Sequence, residues 1–562
     1  MQKFKDIAYI RPDFEKLEKE IIAITEKVKK AASAEELLAL IKECDAASAE
    51  AETMGTVAHI RNTVDSRDEF YDAEMKYINS AEPKLIPAEM AYQKAILASP
   101  YRKELEEKIG NQLFRDMEMA VMLRSEKIMD DLVRESDLRN EYSKIVATCK
   151  TTYMGKECNF YGLLKFMEDP DREVRRGAFI EWAKLYEGIA PKLDAIYSEL
   201  TALRVGMAKK QGYDSYIPYR YLERGRYDYT PADVAAFRDQ VKKVVVPVCE
   251  KLVEEQRARI GVDKMRFYDE KFIFPDGNAD PIGSEKELVA AAQAMYRELS
   301  PETGEFFDFM VEHELFDLVS TPGKRQGGYC TTLTAFKAPF IFSNFNGTSA
   351  DAEVLTHEAG HAFEGFVASR CQELTNYVWS VSEINEIHSM SMEFFTYPWM
   401  DKFFGENTPK YKYSHLAGCI LTIPYLVAVD EFQHLVYEKP DMTAEERYEA
   451  WRVTEKKYMP WRDYDGNEFL EKGGFWMQKL HIFLYPFYYI EYAMSQICAL
   501  EYFGAMLKDR DAAWKDYLSL CRAGGSKGYF DLLKIGNLKA PFEEGVVAEA
   551  LAPAVEILAK GL

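Results

Sequence analysis

Over roughly the first 200 residues, apolar positions recur at helical intervals between charged ones. The run Phe14-Glu-Lys-Leu-Glu-Lys-Glu-Ile-Ile-Ala-Ile and the stretch from Leu105 to Met129 both set an apolar stripe among Glu and Lys, the pattern of amphipathic helices. Pro83, Pro87, Pro100 and Pro170 punctuate the run as helix breaks do. A second helical stretch follows from about 231 to 262. Between about 264 and 347 the texture changes, and Gly, Pro, Asp and Asn become frequent. There Gly323-Lys-Arg-Gln-Gly-Gly-Tyr-Cys-Thr precedes Ala338-Pro-Phe-Ile-Phe-Ser-Asn-Phe-Asn-Gly347. Phe340–Phe345 reads as a strand ending in an Asn-Gly turn. Helical patterning resumes at 349 and continues almost to the end, interrupted near Trp461–Gly474. The pattern predicts a mostly α protein with a small β element, without fixed-period repeats.

A chain of 562 residues is too long for one compact core, so two or more domains are expected. The composition, 47% hydrophobic and 29% charged, is that of a soluble globular protein. A formal charge of -22 repels phosphate backbones, which sets nucleic-acid binding aside. Charges in MQKFKDIAYIRPDFEKLEKE occupy the place of a signal peptide's apolar run. No stretch reaches the roughly 18 uninterrupted apolar residues of a membrane helix, and the most apolar one, Leu416 to Val429, reads as a buried helix. Nine scattered cysteines form no C-x-x-C pair, as expected of free thiols in a reducing cytoplasm. For the same reason the sequon Asn346-Gly347-Thr348 carries little weight. Gly323–Gly328 is not a phosphate loop, because its Lys follows the first glycine instead of the last.

The chemistry concentrates after that turn. Thr348-Ser349-Ala350-Asp351 has the form of a capping box opening a helix, and that helix carries His357-Glu358-Ala359-Gly360-His361. Histidines at i and i+4 share a face and can grip one metal ion, while Glu358 can reach a water beside it. With only eight histidines in the chain, a chance occurrence of this spacing is rare. Zinc suits imidazole nitrogen and carboxylate oxygen and needs a third protein ligand. The third-His pattern would place it six residues past His361, where the chain has Val367. Glu364 shares the face of the two histidines, but a continuous helix carries it away from the ion. Downstream, Glu383, Glu386 and Glu393 share one face of the next helix, and periodicity does not choose among them.

His357-Glu-Ala-Gly-His-Ala-Phe-Glu, preceded by Phe345-Asn-Gly-Thr and followed by Glu386-Ile-His-Ser-Met-Ser-Met-Glu393, resembles the oligoendopeptidase F branch of the thimet oligopeptidase family of zinc metallopeptidases. The resemblance runs from about Gly323 to the C-terminus. It implies one zinc ion per chain, held by His357, His361 and Glu386, with Glu393 orienting a ligating histidine and Glu358 as the base. Glu383 has no role in it. His388, near the proposed ligand, is a candidate for a supporting or a packing role. The family also carries a His and tyrosines that contact substrate and stabilise the tetrahedral intermediate. Its tyrosine spacing matches Tyr485, Tyr489 and Tyr492; its His lies one residue further upstream than His481. His481 and Tyr492 are therefore assigned to the oxyanion, and Tyr489 and Tyr485 to substrate. His59, His313, His415 and His434 lie outside any motif and are read as structural.

The implied fold is a nearly all-helical, two-lobed ellipsoid enclosing a deep channel, with a small β-sheet beside the zinc helix. An N-terminal helical lobe is expected over 1–205 and the catalytic domain over 206–562. The Phe340–Phe345 strand and Gly327-Gly328 are candidates for pairing with an extended substrate, as an exposed edge does. The implied activity is endopeptidase cleavage of short unstructured oligopeptides. Two rivals are a helical zinc carboxypeptidase, whose pattern fits Glu386–Glu393 less well, and a catalytically dead peptide-binding scaffold, which would have no use for Glu358.

Overall fold

The computed structural model describes residues 1–123 and 125–561. Helices make up 72% of the chain and strands 4%. The helices form where their apolar spacing and caps put them. Asp13 accepts a hydrogen bond from the Lys16 amide at 2.9 Å and opens the helix Phe14–Val28, whose Phe14, Leu17, Ile21, Ile24 and Val28 are buried. Ser33 caps Ala34–Val64 in the same way.

The chain forms two compact units, each woven from three segments. The first comprises Met1–Met122, Ala279–Thr408 and Cys498–Lys539; the second comprises Leu123–Asn278, Pro409–Ile497 and Ala540–Leu562. This division differs from the expected one at 205/206. The physical reason is that the N-terminal helices do not keep a core to themselves. Phe14, Ile21, Leu37, Leu105 and Phe114 share a buried cluster with Leu374 and Tyr377. The Tyr377 hydroxyl also donates to the Ile109 carbonyl and accepts from the Leu113 amide. In the second unit the 39-residue helix Arg172–Lys210 buries Trp182, Tyr197 and Leu200.

A hairpin in the second unit pairs β1 (Thr151–Tyr153) with β2 (Lys156–Cys158). The first unit holds a three-stranded sheet of β3 (Phe316–Val319), β4 (Tyr329–Leu333) and β5 (Ala338–Phe345) in the order β3-β5-β4. β5 is thus the central strand, parallel to β3 and antiparallel to β4. This corrects the reading of Phe340–Phe345 as an exposed edge: its backbone is flanked on both sides. The edges are β3 and β4, and β4 begins directly after Gly327-Gly328. Among the described residues, one helical run, Asp401–Glu438, is long and apolar enough to cross a membrane, but 67% of its most apolar window is buried inside the protein, as in a core helix. All nine cysteines are free.

Candidate active site

Everything in the His-Glu-x-x-His motif depends on how β5 hands the chain to the motif helix, Ala350–Cys371. No side-chain cap forms at Ser349, so the expected capping box is replaced by another device. The Asp351 carboxylate reaches back to accept the amides of Asn346 and Gly347 at 2.9 and 2.7 Å. A first-turn carboxylate on free amides also suits the positive end of the helix. Gly347, at φ +84°, supplies the left-handed turn.

The second helix, Ser382–Phe395, packs directly on the first. Gly360 sets their separation: a Cβ there would lie 2.6 Å from Ser389 Cα and 2.7 Å from the His388 carbonyl oxygen. Only a glycine lets the backbones come this close, and the closeness brings a carboxylate under the histidines. Glu386 Oε2 lies 3.4 Å from His357 Nε2 and 3.5 Å from His361 Nε2. The three donor atoms lie within 4.8 Å of one another. A tetrahedral ion with bonds of about 2.0–2.2 Å holds its ligand atoms about 3.3–3.6 Å apart, so this donor set fits zinc in both chemistry and spacing. His357 Nδ1 meets Glu393 Oε1 at 2.6 Å, which fixes the ring and leaves Nε2 for the ion.

Burial opposes charge on His357, yet hydrogen bonds to Glu386 and Glu393 outweigh it and hold the imidazole pKa well above its ordinary value. Burial would raise Glu386, but His361 and His357 pull it far below the usual carboxylate range. Glu358 is 8% exposed, and desolvation pushes its carboxyl up despite the histidines beside it. A carboxylate made more basic by burial is a suitable proton acceptor. Gly328 leaves space beside it: a Cβ at 328 would sit 3.5 Å from Glu358 Oε1.

Glu383 is buried, 1% exposed, and lies outside the donor group. His388 does not join Glu393 at His357. Two residues along a helix turn a side chain about 200° away, and His388 Nδ1 instead pairs with Glu364 at 3.1 Å, both side chains being fully buried. Burial disfavours the charged ring, but Glu364 and then Cys521 lift its pKa to about 10. The pair ties the two helices together through a fully buried contact. Neither this pair nor the spacing role of Gly360 was visible in the sequence, because both need the helix–helix contact.

His481 and the tyrosines lie together within the second unit. The short helix Leu480–Leu484 carries His481, and a turn through Phe487 at φ +61° leads into Tyr489–Lys508. The His481 ring centroid lies 4.6 Å from Tyr489 and 6.4 Å from Tyr492. Tyr488, absent from the sequence assignments, stacks on His481 at 5.7 Å and carries the Arg224 guanidinium 4.6 Å over its ring. Tyr485 turns outward, 42% exposed, beneath the Arg139 guanidinium. Arginines hold this turn: Arg204 donates to the Phe483 carbonyl at 2.6 Å and Arg220 to that of Pro486 at 3.3 Å. Arg226 bonds both the Phe487 carbonyl and Glu491, at 2.5 and 2.8 Å.

A mostly helical fold carrying this motif defines a class of peptidases. Residues 165–279 and 303–550 match Peptidase family M3, and residues 4–123 match the Peptidase M3 N-terminal domain. The chain belongs to peptidase family M3. The solved structure of PZ peptidase A with inhibitor 2 is similar, at 45% identity and TM-score 0.94 over 99% of both chains. A candidate oligoendopeptidase F from Bacillus anthracis strain Ames is 40% identical, with TM-score 0.89 over 100% of this chain and 98% of that one. An oligoendopeptidase F homolog of Borreliella burgdorferi is 26% identical over 235 residues, a match spanning 40% of this chain and 38% of that relative. Within the family the chain falls in the oligoendopeptidase F branch.

Proposed function

We propose that this peptidase is a zinc-dependent endopeptidase that cuts short, unstructured peptides at internal bonds and works in the cytoplasm. The observation that carries this is the placement of Glu386 Oε2 at 3.4 and 3.5 Å from the Nε2 atoms of His357 and His361. Those three residues would hold the ion, which when bound supplies a Lewis acid that makes water more acidic and polarises a carbonyl. Glu393 keeps the His357 ring turned so that Nε2 faces the other donors. Glu358 takes the proton of the attacking water and passes it to the leaving amine. Tyr492 and His481, assigned by the resemblance, donate hydrogen bonds to the oxyanion as it forms. Tyr489 and Tyr485 are assigned to the peptide on the same ground. The amides of Gly327, Gly328 and the β4 edge are suited to an extended backbone, with Phe345 at the end of the neighbouring strand.

The test is Glu358→Gln measured against a peptide blocked at both ends. Wild-type cleavage of that peptide supports endopeptidase action, since a carboxypeptidase requires a free C-terminus. The variant is expected to keep its zinc and lose roughly 10²–10⁴-fold in turnover. Full activity in the variant would refute the assignment of the base.

A further inference from the structure

A cavity of about 210 Å³ lies within the second unit, beside the segment that leads into His481. Four aromatic rings line it: Trp182, Phe267, Tyr425 and Phe475. They brace one another, with Trp182 to Phe267 at 5.7 Å, Phe267 to Phe475 at 5.2 Å and Tyr425 to Phe475 at 5.9 Å. The last two of these contacts are edge-to-face, an arrangement that aromatic pairs favour. Leu164 and Met167 complete the apolar lining.

Charge selects what could enter. Arg462 also lines the cavity; its Nε and Nη2 donate to Glu270 at 3.1 and 2.8 Å, and its Nη1 lies 3.8 Å from Glu455 without a hydrogen bond. Its remaining surface faces Phe475 at 5.0 Å and Phe267 at 5.4 Å. An anion would meet Glu270, and a cation would meet Arg462 and Lys271. A neutral apolar group meets neither cost. An apolar cavity of about 150 Å³ is enough to admit benzene, so this one has room for an aromatic ring.

The cavity shares a wall with the tyrosine cluster. The ring of Tyr425 lies edge-on to Tyr489 at 6.0 Å. Lys479 places its ammonium 5.5 Å over Tyr425 and 4.8 Å over Tyr489, bridging the two. Gln478 lines the cavity and donates to the Tyr425 hydroxyl. A peptide resting on Tyr489 would therefore lie against Tyr425, the ring that forms one wall of this cavity. We infer that it is a specificity subsite for one bulky neutral side chain of the substrate, phenylalanine-like in size, an inference that rests on the peptidase reading above.

The test compares wild type with Leu164→Trp, which fills the cavity, on doubly blocked peptides carrying Ala, Phe or Trp at successive positions around one cleaved bond. Wild type is expected to prefer Phe over Ala at one position by at least about tenfold in kcat/KM. In the filled variant that ratio falls toward unity. Leu164→Ala, which widens the same wall, raises the ratio of Trp over Phe and serves if the tryptophan variant does not fold. An unchanged preference in the folded variants overturns the subsite while leaving the peptidase reading intact. Absence of cleavage of every peptide by wild type refutes the peptidase reading instead. The cavity is then judged by calorimetry with a reduced-bond Phe peptide. Binding lost in Leu164→Trp supports it, and equal binding, or none to wild type, overturns it.

Discussion

At the residue scale, the donor geometry separates carboxylates that periodicity left equivalent. Glu383 and Glu386 are both buried, yet only Glu386 meets the two histidines. Glu386→Ala is expected to lose zinc, measured by metal content after dialysis, whereas Glu383→Ala keeps it. Tyr492→Phe removes one hydroxyl and little volume, so stability should hold while kcat falls by around 10²–10³-fold with KM little changed. An unchanged kcat would return Tyr492 to a packing role. His434 allows a prediction about acid stability. It is buried, its Nε2 meets the Tyr221 hydroxyl at 3.1 Å, and burial lowers its pKa to about 4, ahead of the opposing pull of Asp430. The folded state therefore keeps this ring neutral, while the unfolded chain protonates it near pH 6.5. Its contribution is fully present above that pH and is lost as the pH falls toward 4, reaching about 2 kcal/mol of lost stability at pH 5. Urea midpoints at pH 7 and pH 5 should differ less in His434→Gln than in wild type.

At the scale of elements, the site is a product of two helices held unusually close. Gly360→Ala would drive a methyl group into the Ser389 and His388 backbone at 2.6 and 2.7 Å, and backbone cannot step aside as a flexible side chain does. Overpacking of this kind costs about 1–3 kcal/mol or more. The expected outcome is a lower melting temperature together with weaker zinc retention, since separating the helices withdraws Glu386. A variant with normal stability and normal zinc content would show that Gly360 does not set the spacing. The sheet shows the same dependence on neighbours. A strand near Phe340 was readable from its apolar run, but its central place was not, because pairing with both Phe316–Val319 and Tyr329–Leu333 is a property of three segments at once.

At the scale of the whole molecule, the resemblance to oligopeptidases implies that accessibility decides what is cut. A cleavable sequence held inside a stable domain is reached only by unfolding, which costs about 5–15 kcal/mol. The same sequence in a free, doubly blocked peptide should be hydrolysed at its internal bond, while the folded host should survive. Mass spectrometry of both digestions checks this; rapid cleavage of the folded host at that site would remove the enclosed-channel expectation and leave the zinc chemistry standing. The interleaved units carry a related lesson. A boundary at 205 followed the end of the first helical run, but residues 1–122 bury their apolar stripes against Leu374 and Tyr377.

What the sequence determined by itself was local. Helical periods, the i, i+4 histidines, Glu358 between them and the candidate carboxylates downstream all lie within a few turns of chain, where 3.6-residue geometry decides which side chains share a face. Only tertiary structure decided the rest: which carboxylate meets the histidines, why residue 360 has no side chain, and that His388 turns away to Glu364. Each of these depends on where a second segment packs, and a one-dimensional pattern carries no record of that distance.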